Sequence, residues 1–226
     1  MKKFTLLGLL ALTTMLSASS YAQIRWSVTG GYALGTFTAS EKGFSLSSND
    51  NGFYAGILGD ILTEIPHLTV ETGLIYTYLQ DKTSSLTSIS TGNGERLSFV
   101  KESIHFLNLP FKAKYSLPVS EHFGIFLLGG PTLAIGLDGN QKYLSENYSM
   151  GYRAQEKNIP LFGEDGGLNR LDLKLGIGGG VTLYDWLELR VGYDWGLLNI
   201  ASKTDISSHV HYFHAGIAIK FQKKNN

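Results

Sequence analysis

The 226-residue chain contains no cysteine. Disulfides, thiolate-held zinc or iron–sulfur centres and a thiol nucleophile are therefore excluded, as is lipid attachment at an N-terminal cysteine. Only 17% of the residues are charged, and 19 basic residues offset 19 acidic ones. That balance leaves no electrostatic footprint for nucleic acid, which is not expected as a partner. Proline is scarce at 5, and the 6 histidines show no metal-ligand spacing. Neither a metal nor a cofactor is expected. Beyond the N-terminus no apolar run is long enough for a membrane helix. What is abundant is glycine, at 27, with 12 Tyr and 12 Phe, a composition of strands and turns.

Residues 1–22 stand apart from the rest. Lys2 and Lys3 precede an apolar run from Phe4 to Leu16, and Ser20-Tyr21-Ala22 offers small residues at the two recognition positions. This is the pattern of a secretory signal, with cleavage expected after Ala22 and a mature domain over 23–226. Export leaves 17 basic and 19 acidic residues, a formal charge of −2.

The mature chain alternates with period two, the mark of a strand with one apolar face. Leu171, Leu173, Leu175, Ile177, Val181 and Leu183 oppose Asp172, Lys174, Gly176, Gly178 and Gly180. Leu187, Leu189, Val191, Tyr193 and Trp195 likewise oppose Glu188, Arg190, Gly192 and Asp194, and Phe213 to Phe221 repeats the pattern. Five earlier strands are expected over 24–38, 52–62, 68–79, 103–116 and 123–137. The total of eight fits a closed antiparallel barrel.

Two eight-stranded barrels remain: a secreted one with apolar residues inside, and a membrane one with apolar residues outside. The connections decide between them. Long ones alternate with short ones such as Tyr184-Asp185-Trp186, so one rim carries long loops and the other tight turns. That asymmetry belongs to outer-membrane barrels, whose external loops are long and periplasmic turns short. Trp26, Tyr115, Phe123, Trp186 and Phe221 fall near the short-turn ends, and Tyr76, Tyr78, Trp195, Tyr212 and Phe213 near the long-loop ends, as two interfacial aromatic bands would. The expectation is an all-β, eight-stranded antiparallel transmembrane β-barrel in the cell outer membrane.

The order of several motifs resembles the outer-membrane β-barrel domain family of Bacteroidota, also called PorT-family or porin-family proteins. The motifs are Glu71-Thr72-Gly73-Leu74-Ile75-Tyr76, Phe106 through Tyr115 with its central Pro110, Gly129-Gly130-Pro131-Thr132-Leu133, Asp172 through Gly180, and Tyr193 through Ile200. The resemblance implies an outer-membrane barrel and leaves the biochemistry open. A departure stands at the C-terminus, where Gln222-Lys223-Lys224-Asn225-Asn226 follows the aromatic Phe221.

The polar face supplies the candidate site. Glu71, Lys112, Lys114, Asp172, Lys174, Glu188, Arg190 and Asp194 are expected to face the lumen, with Arg25, His214 and Lys220. A lumen this narrow is filled by its own side chains, so buried charges must pair. The expected result is a structural charge network that plugs the barrel, with Asp172 and Lys174 near Glu188 and Arg190. Gly176, Gly178 and Gly180 should make room for long neighbours. Asn49-Asp50-Asn51-Gly52 lacks the later acidic ligand of a calcium loop and reads as a turn. Ser207 and Ser208 near His209, His211 and His214 are the closest approach to a nucleophile and base, and they read as solvated loop residues.

Three function classes follow. A non-enzymatic barrel could use the external loops 80–102 and 138–169 to meet a protein or surface partner, since Tyr143, Tyr148, Tyr152 and Phe162 stand there beside charges. It is the first expectation, with outer-membrane lipid around a monomer. An accessory role in outer-membrane transport, as in type IX secretion, and lipid A modification are the alternatives.

Overall fold

A computed structural model of the chain describes residues 24–221 apart from 42–43, 82–88, 92–94, 148–152, 164–166 and 203–205. The expected export signal lies outside the described residues. The strands are β1 (Ile24–Glu41), β2 (Phe44–Leu62), β3 (Leu68–Asp81), β4 (Ile89–Thr91) and β5 (Glu95–Ser120). They continue with β6 (Phe123–Asn147), β7 (Arg153–Pro160), β8 (Leu171–Leu183), β9 (Leu187–Gly196) and β10 (Ser207–Lys220). Eight of them, all except β4 and β7, pair antiparallel in a ring that closes between β1 and β10 and between β5 and β6. The fold is an all-β, eight-stranded antiparallel barrel. Closure removes the free edges that would expose unpaired main chain in a bilayer.

Alternation places the large apolar side chains outside. Trp26, Val28, Ile57, Leu74, Phe111, Leu127, Ile177, Val191 and Ile217 are all exposed on the barrel wall. One rim is made of tight connections: residues 63–67, 121–122 and 184–186. Tyr184 and Asp185 have φ of 49° and 61°, the left-handed geometry that matches a hairpin turn to the strand twist.

The other rim carries the longer connections, as expected, but its strands reach further than the alternation predicts. β1 and β2 run on to Glu41 and Phe44, and β5 and β6 pair without leaving the sheet from Ser120↔Phe123 to Glu95↔Asn147. Asn49-Asp50-Asn51-Gly52 is no turn: these residues lie within β2 and pair with Thr36 to Ala33 of β1. Beyond the bilayer the outer face of a strand meets water, so the sequence loses the apolar alternation of the lipid zone while the main chain stays extended. β4 adds to β5 at 95–97 and β7 to β6 at 140–147, giving a four-stranded sheet that stands beyond the ring.

Candidate functional site

Inward-facing residues fill the lumen in two layers. The layer nearer the tight turns is ionic. Lys114, on β5, reaches Glu188 on β9 at 2.7 Å, Asp60 on β2 at 3.1 Å and Glu71 on β3 at 3.3 Å. Arg190 meets Glu71 at 2.6 Å and Glu188 at 3.5 Å, and Lys220 meets Glu188 at 2.6 Å. Three acids thus face three bases, and each is held by strands from around the ring. Higher up, Asp194 joins Lys112 at 2.6 Å and His214 at 3.3 Å. Lys174 pairs with Asp172 and lies 4.4 Å from the Tyr212 ring centre.

Seven of the eight expected lumen charges are therefore buried and Arg190 is half-buried, and each of the eight is in an ion pair. Their grouping differs from the expectation. The β8–β9 register sets Thr182 against Glu188 and Gly180 against Arg190, while Lys174 faces Gly196. Asp172 and Lys174 hence lie at the opposite end of the hairpin from Glu188 and Arg190. A hairpin brings together residues equidistant from its turn, and these pairs are not. Arg25 is exposed and lines a wide mouth at the tight-turn rim, beside Asp60 and Lys220. Asp60 was missed because Gly-Ile-Leu-Gly-Asp-Ile-Leu, residues 56–62, does not alternate cleanly.

Glycine sets the room for this layer. A Cβ on Gly176 would overlap the Asp194 carboxylate, one on Gly180 would stand 2.8 Å from the Phe126 ring, and one on Gly192 would stand 2.6 Å from His214. Between the layers is a cavity of about 60 Å³ bounded by Asn108, Lys112, Thr132, Lys174, Tyr212 and His214. Asn108 Oδ1, Thr132 Oγ1 and the Tyr212 hydroxyl are buried there and meet no hydrogen-bond partner in the structure. The lining is mostly apolar, with these polar atoms set into it, and a space of this size has room for about four water molecules.

The layer nearer the outer rim is apolar. Ala33, Leu79, Ile104, Phe106, Ala134, Leu161, Phe162, Ile200 and Val210 form one buried cluster with Tyr54 and Tyr212. Phe162 enters from the segment after β7 and meets Phe106 edge-on at 5.9 Å between ring centres. The plug, expected as a network of charged side chains, has in addition an apolar outer half. Above the aromatic band the exterior is water, so apolar residues turn inward; Phe106 and Val210 point in where Leu107 and Phe213 below them point out.

Above this layer Asp50, Asp81 and Glu102 stand on neighbouring strands. Asp50 is buried and neither carboxylate oxygen has a hydrogen-bond partner. Burial, then the charges of Glu102 and Asp81, pushes its carboxyl up to about 7. Burial also raises Glu102, which accepts a 2.8 Å hydrogen bond from Gln141. Among the described residues no cluster of His, Asp and Glu has the makings of a metal site.

The histidines near the last external connection divide between the two faces. His214 is in the lumen, whereas His211 stacks on Tyr193 and the Nε2 of His209 lies 3.1 Å from the Ser207 hydroxyl. His209 Nδ1 is buried without a hydrogen-bond partner. Among the described residues no carboxylate meets that nitrogen to orient the imidazole as a general base.

A family model described as outer membrane protein beta-barrel domain matches residues 17–202. No curated protein matches the chain. Among solved structures, the attachment invasion locus protein Ail of Yersinia pestis, in complex with a heparin analogue, is 12% identical with a TM-score of 0.43, covering 88% of this chain and 99% of that chain. Neisserial surface protein A is also 12% identical with a TM-score of 0.43, over 87% and 97% of the two chains. The outer membrane protease OmpT from Escherichia coli is 10% identical with a TM-score of 0.37, over 90% and 98%. Likeness at this level says nothing of what the chain binds or does.

Proposed function

The chain belongs to the outer membrane protein beta-barrel domain family, and on that premise we propose that it is a closed, non-enzymatic barrel whose external strands meet molecules outside the cell. It resides in the outer membrane, exported there by residues 1–22. The observation that carries the reading is the division of the molecule. The lumen is filled by side chains from the ionic layer to the apolar one, while β5, β6 and β7 continue as sheet beyond the ring. A rigid scaffold holding exposed segments is how loop-borne recognition is built. The motif order that resembles PorT-family proteins supports a parent organism among the Bacteroidota. No geometry here favours transport or lipid A modification over this reading.

The test compares parent cells, cells lacking the protein, and cells carrying a chain in which residues 142–158 are replaced by Asn-Gly, a turn that can close β6 back on the segment before Pro160. Secreted proteins and lipid A should be unchanged in all three. Binding of cells to immobilised extracellular proteins should fall in both altered strains. Lost secretion would overturn the reading in favour of transport, and altered lipid A in favour of an enzyme.

A further inference from the structure

The sheet beyond the ring ends on β7, and β7 is an edge. Its eight residues pair with β6 in unbroken register, from Asn140↔Pro160 to Asn147↔Arg153, and among the described residues no strand pairs with its other side. The main-chain bonds that close the ring at this level lie below it. Leu161 N donates to Gly139 O, Leu168 N to Leu161 O, Asn169 N to Ile200 O and Ile200 N to Ser208 O. β7 lies outside that chain of bonds, with Pro160 at the end next to Leu161 and Arg153 at the far end.

Sheet edges are ordinarily blunted by shortness, bulges, proline or charged side chains. The opposite end of the same sheet is short, since β4 has three residues. β7 has charge alone: it is eight residues long, its pairing shows no bulge, and its one proline, Pro160, is the last residue. Arg153, Glu156 and Lys157 supply charge that deters indiscriminate aggregation, while leaving the main-chain donors and acceptors in place.

We infer that the free edge of β7 is a docking surface for an extended segment of a partner polypeptide, which joins the sheet as a further strand. The chemistry of the edge selects the occupant. A row of alternating N–H and C=O groups is matched by another extended main chain, and side-chain contacts then tune specificity. The inference rests on the interaction reading above and names the surface and the kind of ligand.

The test uses the full chain in lipid nanodiscs and a labelled synthetic peptide, Asn-Gln-Lys-Tyr-Leu-Ser-Glu-Asn, which copies residues 140–147, the strand that β7 already pairs with. The peptide should bind and slow hydrogen exchange of alternate β7 amides. Neighbouring residues of a strand direct their amides to opposite edges, so one of Glu156→Pro and Lys157→Pro blocks the free edge and the other disturbs pairing with β6. The variant that retains the β6 pairing by hydrogen exchange should bind the peptide roughly tenfold more weakly, as expected for losing about one main-chain hydrogen bond. Glu156→Thr and Lys157→Thr should bind as the parent does. Absence of peptide binding, equal binding by both proline variants, or a loss in the threonine variants that matches the proline effect would overturn the edge. If the chain lacking residues 142–158 loses cell binding while the proline variants keep it, the edge is wrong and the interaction reading stands. Lost secretion in the deletion strain would remove that reading itself, whatever the peptide does.

Discussion

The Asp194 carboxylate occupies the space that a side chain on Gly176 would need. The two residues face each other across β8 and β9, and a Cβ on Gly176 would overlap Asp194 Oδ1 and come within 2.9 Å of Lys112 Nζ. Gly176→Ala should therefore dislodge the Lys112–Asp194 pair and cost about 1–3 kcal/mol, the usual range for overpacking. Urea unfolding in detergent micelles reads this directly. A variant with the parental midpoint would show that the pair is free to shift.

Lys114 holds three carboxylates, whereas Lys174 holds one. Removing one partner of a buried pair strands the other and costs about 3–5 kcal/mol. Lys114→Met, Glu188→Gln and Lys174→Met should all unfold more easily than the parent, with Lys114→Met the weakest. Replacing both Lys174 and Asp172 by apolar residues should restore most of the loss, because no charge is left without a partner. Parental stability in Lys114→Met and Glu188→Gln together would contradict a network that supports the barrel.

Little ion flow is expected through the barrel. Phe106, Phe162, Leu79, Ile104 and Val210 close the outer half of the lumen, and the ionic layer below carries equal numbers of acids and bases. Planar-bilayer recording should show no large, stable conductance steps. Such steps from the purified protein would mean that the apolar layer opens.

Asp50 gives the outer rim a pH dependence of known sign. Its carboxyl is pushed from 3.8 up to about 7, so the folded state favours the protonated form. The stability this contributes is fully present below about pH 4 and is lost as the pH rises through about 7. Protection factors at residues 49–52, which remove the intrinsic pH dependence of amide exchange, should thus be lower at pH 8 than at pH 5. Asp50→Asn should raise them at pH 8 and have little effect at pH 5. An Asn variant indistinguishable from the parent at pH 8 would remove Asp50 as the cause.

Much of the wall was legible from alternation alone. Leu171 to Leu183 and Leu187 to Trp195 put their apolar residues outside and Asp172, Lys174, Glu188, Arg190 and Asp194 inside, as the period of a strand requires. The tight turn at Tyr184–Trp186 also carried enough to fix the hairpin register, which places Asp194 beside Gly176 and separates Lys174 from Arg190. The extra length of β1, β2, β5 and β6 was hidden for a physical reason. Above the lipid the outer face of β2 meets water and its inner face carries the polar Asp50, so Ser47-Ser48-Asn49-Asp50-Asn51 shows no apolar alternation and looks like a loop.

The sequence by itself determined which side of most membrane-spanning strands meets lipid, because a bilayer rewards apolar residues on one face and strand geometry enforces the alternation. Only the tertiary structure decided which charges meet inside. Lys114, Glu188, Glu71 and Asp60 come from four strands far apart in the chain, and no local pattern records who stands opposite whom in a closed ring. It also decided where the apolar face turns inward. The reversal between Phe106 and Leu107, and between Tyr212 and Phe213, follows the height at which lipid gives way to water, a boundary set by the assembled barrel and not by either residue's neighbours in sequence.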